Sequence, residues 1–446
     1  MMTKFDVIII GGGPAGLAAA YGLKAAGKSV AIIENDLWGG TCPNRGCDPK
    51  KILLAAVEAK AASQHLQKYG IQNVPTINWP ELMASKHDYT DGINDSTLAG
   101  LKDEQVITFH GTAHFIDDQT LQVAETILTA TDIIIATGQR PNLLAIPGEQ
   151  YLLTSTDFLD FAEMPQRVAF IGGGYVAFEL AAIANAAGAE VHLIQHNQHF
   201  LKAFDQDLVQ ELVEQLKQQG IQFDTDIETK AIRKTTTGFV VEGNSGYQLD
   251  TDAVICATGR IPNIEDLALA AAHIEADRHG IKVNDHLQTL HNSHIYAIGD
   301  VVSRTQPKLT PVAGFEGRYV VQQILKTDKA PINYPVIPTL VYATPKLAQI
   351  GVSAQVAAQD TDKYQVHDLD LTHWFTYQRI REPHAHAKIV IEQATGLIVG
   401  VSFLSELADE MINYFANLIN QQITAEQLAQ QIFAYPTPAS DLGYFY

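Results

Sequence analysis

The sequence contains little cysteine, little positive charge and no long apolar run. Only three cysteines occur among 446 residues, so a disulfide-stapled scaffold is excluded and any close cysteine pair is expected to cycle or to bind metal. Thirty Lys and Arg oppose fifty Asp and Glu, and no basic run with interleaved aromatics is present, which argues against a nucleic-acid partner. Glycine and polar residues interrupt every apolar stretch well short of the roughly 20 residues that cross a bilayer, so no membrane partner is expected.

The length of the chain and its first residues indicate the number of domains and the cellular location to expect. A chain of 446 residues and 48.7 kDa is too long for one core and is expected to form about three domains. Residues 1–6 lead directly into an apolar strand pattern, without the charged, apolar and small-residue regions of a signal peptide. A cytoplasmic location is therefore expected.

A dinucleotide-binding pattern opens the chain. The β-branched run Phe5–Ile10 leads into a turn that carries Gly11, Gly13 and Gly16, and an alanine-rich helix pattern follows. A second strand pattern ends at Glu34. Glycines let the backbone approach a pyrophosphate, the helix N-terminus favours its charge, and the acid binds a ribose hydroxyl. Strand, turn, helix and acid together predict a dinucleotide site rather than a tight structural turn.

The same pattern recurs later in the chain. Val168–Ile171 forms the strand, Gly172 and Gly174 lie in the turn, Ala177 takes the third glycine position, and another alanine-rich helix pattern follows. Two nucleotide sites in one chain predict electron transfer between two cofactors.

The second copy favours the phosphorylated nucleotide. Gln195 stands where the first copy has its acid, and His196, His199 and Lys202 follow it. Loss of the acid removes a charge that would repel a 2′-phosphate, and the residues that follow would attract one. NADPH is therefore expected over NADH, while the other interpretation of the histidines is that they are solvated loop residues.

Three more apolar strand patterns end in glycine turns, at Gly138, Gly259 and Gly299. Asp300 follows the last of them, where a carboxylate suits the ribityl or phosphate groups of a cofactor.

The C-terminal third, from about residue 331, has a different sequence pattern from the rest of the chain. Alternating segments at 388–391 and 397–400 predict an antiparallel sheet with helices and no nucleotide turn.

Cys42 and Cys47 are close enough in sequence for reversible disulfide chemistry. In a reducing compartment such a pair is expected to cycle or to bind metal, and no further metal ligands lie nearby in the sequence. Cys256 lies inside an apolar strand pattern, where a free cysteine usually acts as a small apolar filler.

These motifs, in this order, resemble the flavoprotein disulfide reductases of the glutathione reductase, dihydrolipoamide dehydrogenase and mercuric reductase group, over nearly all 446 residues. The resemblance implies an α/β fold with two Rossmann-like dinucleotide-binding domains, the second inserted in the first, and a C-terminal α+β dimerisation domain. The expected segments are 1–148 and 263–328 for the FAD domain, 149–262 for the NAD(P) domain, and 329–446 for dimerisation. A homodimer is implied.

The resemblance also implies which residues form the site. Cys42 corresponds to the thiol that attacks the acceptor and Cys47 to the thiol beside the flavin. Lys50 and Glu179 resemble the ion pair near the reactive flavin nitrogen. Tyr175 resembles the ring that covers the flavin. The residues expected to bind FAD or the nicotinamide nucleotide are Gly11, Gly13, Gly16, Glu34, Gly40, Thr41, Gly138, Asp300, Gly172, Gly174, Tyr175, Ala177, His196, Lys202 and Gly259.

The C-terminal motif departs from that resemblance. Disulfide-reducing members have His-Pro-Thr followed by a Glu, whereas Tyr435 and Ser440 occupy the two acid/base positions here. A phenol, unlike an imidazole, is almost fully protonated at neutral pH, and losing a general acid/base commonly costs about 10² to 10⁴ in rate. Tyr435 is either a functional phenol or a packing residue near the chain end.

Mercuric reductases share that tyrosine, but their C-terminal cysteine pair has no counterpart here. His384 and His386 are two residues apart, yet two ligands rarely hold a metal, so no metal site is predicted. The expected function is electron transfer from NADPH through FAD and the Cys42–Cys47 couple to a small or protein disulfide, as in glutathione reductase. The alternatives are reduction of metal ions or quinones, and a protein that binds FAD without turnover.

Overall fold

A computed structural model describes residues 2–327 and 330–446, and every structural statement below concerns these residues. The strands are β1 (Met2–Ile10), β2 (Val30–Glu34), β3 (Ile107–His110), β4 (Ala113–Phe115), β5 (Thr120–Val123), β6 (Thr126–Ile135), β7 (Gln139–Pro141), β8 (Arg167–Ile171), β9 (Glu190–Ile194), β10 (Gln222–Asp224), β11 (Thr229–Lys234), β12 (Phe239–Gly243), β13 (Gln248–Thr251), β14 (Ala253–Cys256), β15 (Arg260–Pro262), β16 (Ala276–Asp277), β17 (Gly280–Ile281), β18 (Gln288–Thr289), β19 (Asn292–Ala297), β20 (Thr339–Val341), β21 (Lys346–Gly351), β22 (Tyr364–Asp370), β23 (His386–Glu392) and β24 (Leu397–Ser405).

The α-helices are α1 (Pro14–Ala25), α2 (Thr41–Arg45), α3 (Cys47–His65), α4 (Trp79–Thr90), α5 (Ile93–Asp103), α6 (Ser155–Phe158), α7 (Tyr175–Ala186), α8 (Gln206–Gln218), α9 (Thr310–Leu325), α10 (Ala354–Ala357), α11 (Phe375–Arg379), α12 (Ala408–Gln421) and α13 (Ala425–Leu428). Short 3₁₀ helices occur at Glu149–Tyr151, Asn244–Gly246, Glu265–Leu267, Leu269–Ala272, Gly299–Val301 and Pro438–Tyr444. No helix within the described ranges is long and apolar enough to cross a membrane.

The chain folds into two compact units, each made of three segments. The first unit contains Met1–Lys51, Ala84–Asn142 and Gly259–Asn333, and the second contains Ile52–Met83, Leu143–Thr258 and Tyr334–Tyr446.

An eight-stranded sheet forms the centre of the first unit. Its main path is β18-β19-β6-β1-β2-β3, and β1, β2, β3, β6 and β19 run parallel. The apolar run in β1 explains its central place, because strands that are covered on both faces read as continuous β-branched segments. β19 pairs with β6 although segment 143–258 separates them in sequence. The chain therefore leaves this sheet and returns to it, which confirms the expected insertion.

The inserted segment carries its own parallel sheet in the second unit. Its order is β10-β9-β8-β14, with α7 connecting β8 and β9, and a three-stranded antiparallel sheet of β11, β12 and β13 accompanies it. Both units thus repeat the strand, turn, helix, strand pattern that the sequence predicts.

The C-terminal segment of the second unit is a five-stranded sheet in the order β20-β21-β24-β23-β22, with every pair antiparallel. Phe403 of β24 and Phe415 of α12 are fully buried in its core. The alternating segments at 388–391 and 397–400 fall in β23 and β24, so the antiparallel expectation is confirmed.

The unit boundaries differ by a few residues from the segments expected from the sequence. Strands β7 and β15 pair with each other inside the first unit, which moves the two junctions to 142/143 and 258/259. The expected junction at 328/329 lies outside the described residues. Segment 52–83 belongs to the second unit, because Leu53, Val57 and Trp79 share a core with Phe158 and Phe170.

Candidate active site

The loop that precedes the cysteines is shaped by two glycines with positive φ. Gly39 has φ 97° and Gly40 has φ 70°, values that residues with a Cβ rarely adopt. The Asn44 side-chain amide donates to the carbonyls of Trp38 at 3.0 Å and Gly40 at 2.9 Å. These hydrogen bonds and glycine conformations hold the loop so that Cys42 lies in the first turn of α2 and Cys47 is the first residue of α3.

The two thiols are electrostatically unequal. The pKa of Cys47 is lowered to about 6, chiefly by the hydrogen bond from Cys42, with further help from the Thr310 hydroxyl, Lys50 and Lys51. The Thr310 Oγ1 lies 3.6 Å from the Cys47 Sγ. The pKa of Cys42 is raised, first by the same bond and then by burial. Cys47 therefore carries the negative charge at neutral pH and Cys42 keeps its proton.

Asp48 lies beside this pair, and the sequence motif does not point to it. Its Oδ1 is 3.9 Å from the Cys42 Sγ, and its Oδ2 accepts a 2.8 Å hydrogen bond from the Tyr89 hydroxyl. Its charge adds to the effects that raise the pKa of Cys42, and the hydrogen bond raises the pKa of Tyr89. The only signal in the sequence is a carboxylate directly after the second cysteine.

The first glycine turn is packed too tightly for side chains. A Cβ on Gly11 would lie 2.3 Å from the Ala136 carbonyl oxygen, one on Gly16 would lie 2.0 Å from the Gly11 oxygen, and one on Gly40 would lie 2.6 Å from the Gly13 Cα. This packing leaves bare backbone in front of the N-terminus of α1, the arrangement that suits a pyrophosphate.

Polar groups that suit the rest of FAD lie around the same turn. Glu34, at the end of β2, accepts a 2.7 Å bond from the Gly12 amide. Asp300 follows β19, and burial raises the pKa of its carboxyl despite the positive charges of Arg304, Arg260 and Lys308. A carboxyl whose charge is disfavoured by burial suits a site where cofactor hydroxyls supply hydrogen bonds. The residues of this unit therefore fit FAD.

Three other predicted cofactor residues also belong to the first unit. Thr41 is exposed at the start of α2. Gly138 has φ 66° and lies three residues after the end of β6, and Gly259 has φ 125° directly before β15. Both glycines end their strands in turns, as the sequence predicts.

The second glycine turn repeats this packing in the second unit. A Cβ on Gly172 would lie 2.4 Å from the Ala257 oxygen, whereas one on Gly174 would meet open space. Ala177 is fully buried in α7. The Gln195 side chain is buried against the turn, and its amide donates to the His199 carbonyl at 2.9 Å.

His196 and Lys202 are exposed in the loop after β9. Their role in binding stays a prediction.

Tyr175 and Glu179 lie on α7. Tyr175 is the first residue of the helix and is 42% exposed, whereas Glu179 is buried and accepts a 3.0 Å bond from the Tyr342 amide. Lys50 belongs to the other compact unit. The pairing of Lys50 with Glu179, and the covering of the flavin by Tyr175, therefore stay predictions.

Tyr435 lies on the surface of the second unit. Its side chain is 75% exposed and stacks on Phe375, with 6.3 Å between ring centroids. Ser440 is engaged in its own turn, where its hydroxyl donates to the Thr437 carbonyl at 2.6 Å. Tyr435 is thus exposed on its own unit, and the Ser440 hydroxyl is engaged within the last turn.

Comparison with known proteins agrees with this geometry. Residues 5–317 match the pyridine nucleotide-disulphide oxidoreductase family, and residues 337–443 match the dimerisation domain of that family. The chain belongs to this family. FAD, a pyridine nucleotide and a redox-active disulfide centre are properties of the family, so the chain is an oxidoreductase of the flavoprotein disulfide reductase class.

Individual relatives differ in what they reduce. The chain is 30% identical to glutathione reductase of Burkholderia cepacia, covering 98% of this chain and 97% of the relative. It is 32% identical to mercuric reductase of Staphylococcus aureus, covering 98% and 81%. It superposes with a TM-score of 0.89, at 26% identity over 98% of both chains, on the Cu(II) complex of the HOCl-induced flavoprotein disulfide reductase RclA from Escherichia coli.

Proposed function

We propose that the protein is an NADPH-dependent reductase in which FAD and the Cys42–Cys47 couple pass electrons to a thiol-binding metal ion such as Cu(II). The observation that carries this proposal is the Asp48 carboxylate 3.9 Å from the Cys42 Sγ. A carboxylate beside the thiol that meets the acceptor attracts a cation and repels an anionic disulfide such as glutathione disulfide. The replacement of the family's histidine by Tyr435 supports the same choice, because a metal ion needs no imidazole to move a proton.

The residues of the first unit have distinct roles in this reaction. Gly11, Gly13 and Gly16 give a pyrophosphate access to the N-terminus of α1. Bound FAD would carry electrons between the nicotinamide nucleotide and the cysteine pair. Cys47 holds the negative charge of the reduced pair, stabilised by the hydrogen bond from Cys42 and by the Thr310 hydroxyl.

The oxidative half-reaction balances with two cupric ions. Each ion takes one electron, an S–S bond forms between Cys42 and Cys47, and two cuprous ions leave. Cys47 starts as a thiolate, so a single proton is lost, and it comes from Cys42. A cupric ion that binds the Cys42 sulfur displaces that proton to solvent.

A disulfide is the second candidate acceptor, and the sequence motif favours it. The unequal pKa values of the two thiols support it, because a protonated interchange thiol beside a stabilised thiolate suits thiol–disulfide exchange. The similarity to a glutathione reductase also supports it. We place it second, because Asp48 opposes deprotonation of Cys42 and no imidazole follows in the C-terminal motif.

The nucleotide preference, dimer and location are part of the same proposal. NADPH is favoured because Gln195 presents a buried amide, not a carboxylate, beside the second turn. Lys202→Gln should then raise the KM for NADPH and leave the KM for NADH unchanged.

The dimerisation domain supports a homodimer. The cytoplasmic location, the lack of a nucleic-acid partner and the domain segments remain predictions from the sequence.

The deciding experiment compares acceptors in the Asp48→Asn variant. A unit charge about 4 Å away is worth about 1 kcal/mol in water and more near a protein surface, so removing it should lower kcat/KM for cupric ion about tenfold. The rate with glutathione disulfide should rise. The matched control is Asp91→Asn, an exposed carboxylate that pairs with His87 and should change neither rate.

Cys42→Ser completes the assay, run without oxygen. It should abolish reduction of both acceptors while NADPH still reduces the flavin. If Asp48→Asn keeps full cupric activity, and glutathione disulfide is the faster acceptor for the natural enzyme, the protein is a disulfide reductase and the metal proposal is wrong.

A further inference from the structure

Two histidines and a glutamate from distant parts of the chain meet in the second unit. The His384 Nε2 lies 2.6 Å from the Glu211 Oε2, and the His386 Nδ1 lies 2.9 Å from the same oxygen. His386 begins β23, His384 lies two residues before it, and Glu211 lies on α8. The three ligand atoms are all within 4.8 Å of one another.

A second carboxylate holds one of the imidazoles. The His386 Nε2 makes a short contact with the Oδ1 of Asp368 on β22. An N–H donated from one ring nitrogen to a carboxylate fixes the tautomer and directs the lone pair of the other nitrogen at its ligand. The Nδ1 of His386 then faces the position between His384 and Glu211, as in the carboxylate–histidine–metal arrangements of metalloproteins.

The surroundings favour a cation. The cluster borders a cavity of about 560 Å³ whose lining includes Asp207, Glu211, Glu214 and His384. The chain has a net charge of -20, so cations are attracted to its surface. Lys388 is engaged with Asp207 and, at 3.1 Å, with Asp205, which keeps its ammonium on those acids rather than on Glu211.

We propose that Glu211, His384 and His386 form a binding site for a divalent transition-metal ion, with Asp368 positioning His386. Two imidazole nitrogens and a carboxylate oxygen are donors that Zn²⁺ takes at about 2.0–2.2 Å, with water in the fourth position. Tetrahedral ligation at those lengths separates ligand atoms by about 3.3 Å. The contacts of 2.6 and 2.9 Å need to open by about 0.4 to 0.7 Å, which partly exposed side chains can do.

A metal ion in this position would fasten α8 to β23, two elements of the same compact unit. The site is independent of the proposed function, since neither thiol nor cofactor contributes to it. Zinc is the appropriate probe because it has no redox chemistry, so a failure of this proposal is distinguishable from a failure of the reductase assignment.

The test uses the full-length FAD-loaded protein with Cys42→Ser and Cys47→Ser, so that the active-site thiols bind no zinc. Calorimetric titration should show one equivalent of Zn²⁺ per chain. Glu211→Gln and His384→Asn should each weaken binding more than about 100-fold. Asp368→Asn should weaken it about 10- to 100-fold, as expected for a residue that orients a ligand.

The matched control is His291→Asn, which removes a single histidine paired with a single carboxylate, Glu275, at 2.7 Å. It should leave zinc affinity unchanged. X-ray absorption on the parent protein should show nitrogen and oxygen ligands with the scattering of two imidazoles, a readout that does not depend on any variant folding. No stoichiometric binding, or equal binding by the parent and Glu211→Gln, would overturn the proposal.

Discussion

Thr310→Val is a direct test of how the fold controls the reactive thiol. Thr310 begins α9, and its Oγ1 lies 3.6 Å from the Cys47 Sγ. Valine keeps the shape of threonine and removes only the hydroxyl. The hydrogen bond from Cys42 remains the largest cause of the lowered pKa of Cys47, so the substitution should raise that pKa without returning it to its ordinary value.

The expected size follows from the geometry. A hydrogen bond to a charged group is worth about 1.5–3 kcal/mol, and one pKa unit corresponds to about 1.36 kcal/mol. The contact is long and Cys47 reaches the surface, so solvent screening reduces the effect to a fraction of that range. The pKa of Cys47 should rise by about half a unit.

The assay is the pH dependence of alkylation of Cys47 in the reduced protein by iodoacetamide, read by mass spectrometry of the Cys47 peptide. The rate should have its midpoint near pH 6 in the natural protein and about half a unit higher in Thr310→Val. Thr305→Val is the control, because the Thr305 hydroxyl contacts Gln306 at 3.5 Å. An unchanged or lower midpoint in Thr310→Val would refute the role given to this hydroxyl.

Three further substitutions test close packing and buried charges in the two units. Gly40→Ala should abolish FAD retention, measured as the flavin-to-protein absorbance ratio, because its Cβ would lie 2.6 Å from the Gly13 Cα at a φ of 70°; full retention would contradict the close approach. Glu316→Gln should destabilise the protein by about 3–5 kcal/mol in denaturant unfolding, because it leaves the buried Arg304 without its charge partner at 2.5 Å; a loss below about 1 kcal/mol would contradict this. Burial raises the pKa of Glu382 to about 8, so its protonated form stabilises the fold below its ordinary pKa and that stability is lost as pH rises through about 8. The melting temperature should therefore fall between about pH 5 and 8 more in the natural protein than in Glu382→Gln, and parallel curves would contradict the assignment.

The elements that the sequence predicts well are those with local signals. β1, α1 and β2 follow from a β-branched run, a glycine turn and an alanine-rich helix pattern, and β23 and β24 follow from alternation. The sequence does not predict that segment 52–83 joins the second unit, because a helix pattern does not say which core the helix packs against. Leu53 and Trp79 pack with residues about 100 positions further along the chain, such as Phe170.

The residues of the candidate site also divide into those with a local sequence signal and those without one. The cysteines and glycines are visible as motifs, but the groups that set thiol chemistry come from elsewhere in the chain. Thr310 lies 263 residues from Cys47, and Tyr89 lies 41 residues from Asp48. Glu211 lies 173 residues from His384, so the local sequence around the two histidines shows only two of the three proposed metal ligands. Such contacts depend on which strands and helices become neighbours, and no local pattern records that.

Asp48 beside Cys42 and Tyr435 in the C-terminal motif act in the same direction. In thiol–disulfide exchange Cys42 must become a thiolate, and both a neighbouring carboxylate and the loss of an imidazole oppose that step. With a cation as acceptor, the same carboxylate attracts the substrate and opposes nothing, because the bound ion itself displaces the thiol proton. Taken alone, the replacement of histidine by Tyr435 could be tolerated without a change of acceptor, since Tyr435 is exposed on the surface of its unit. Asp48 accepts a hydrogen bond from Tyr89 and lies 3.9 Å from the Cys42 Sγ, which favours the proposed cationic acceptor over an anionic disulfide.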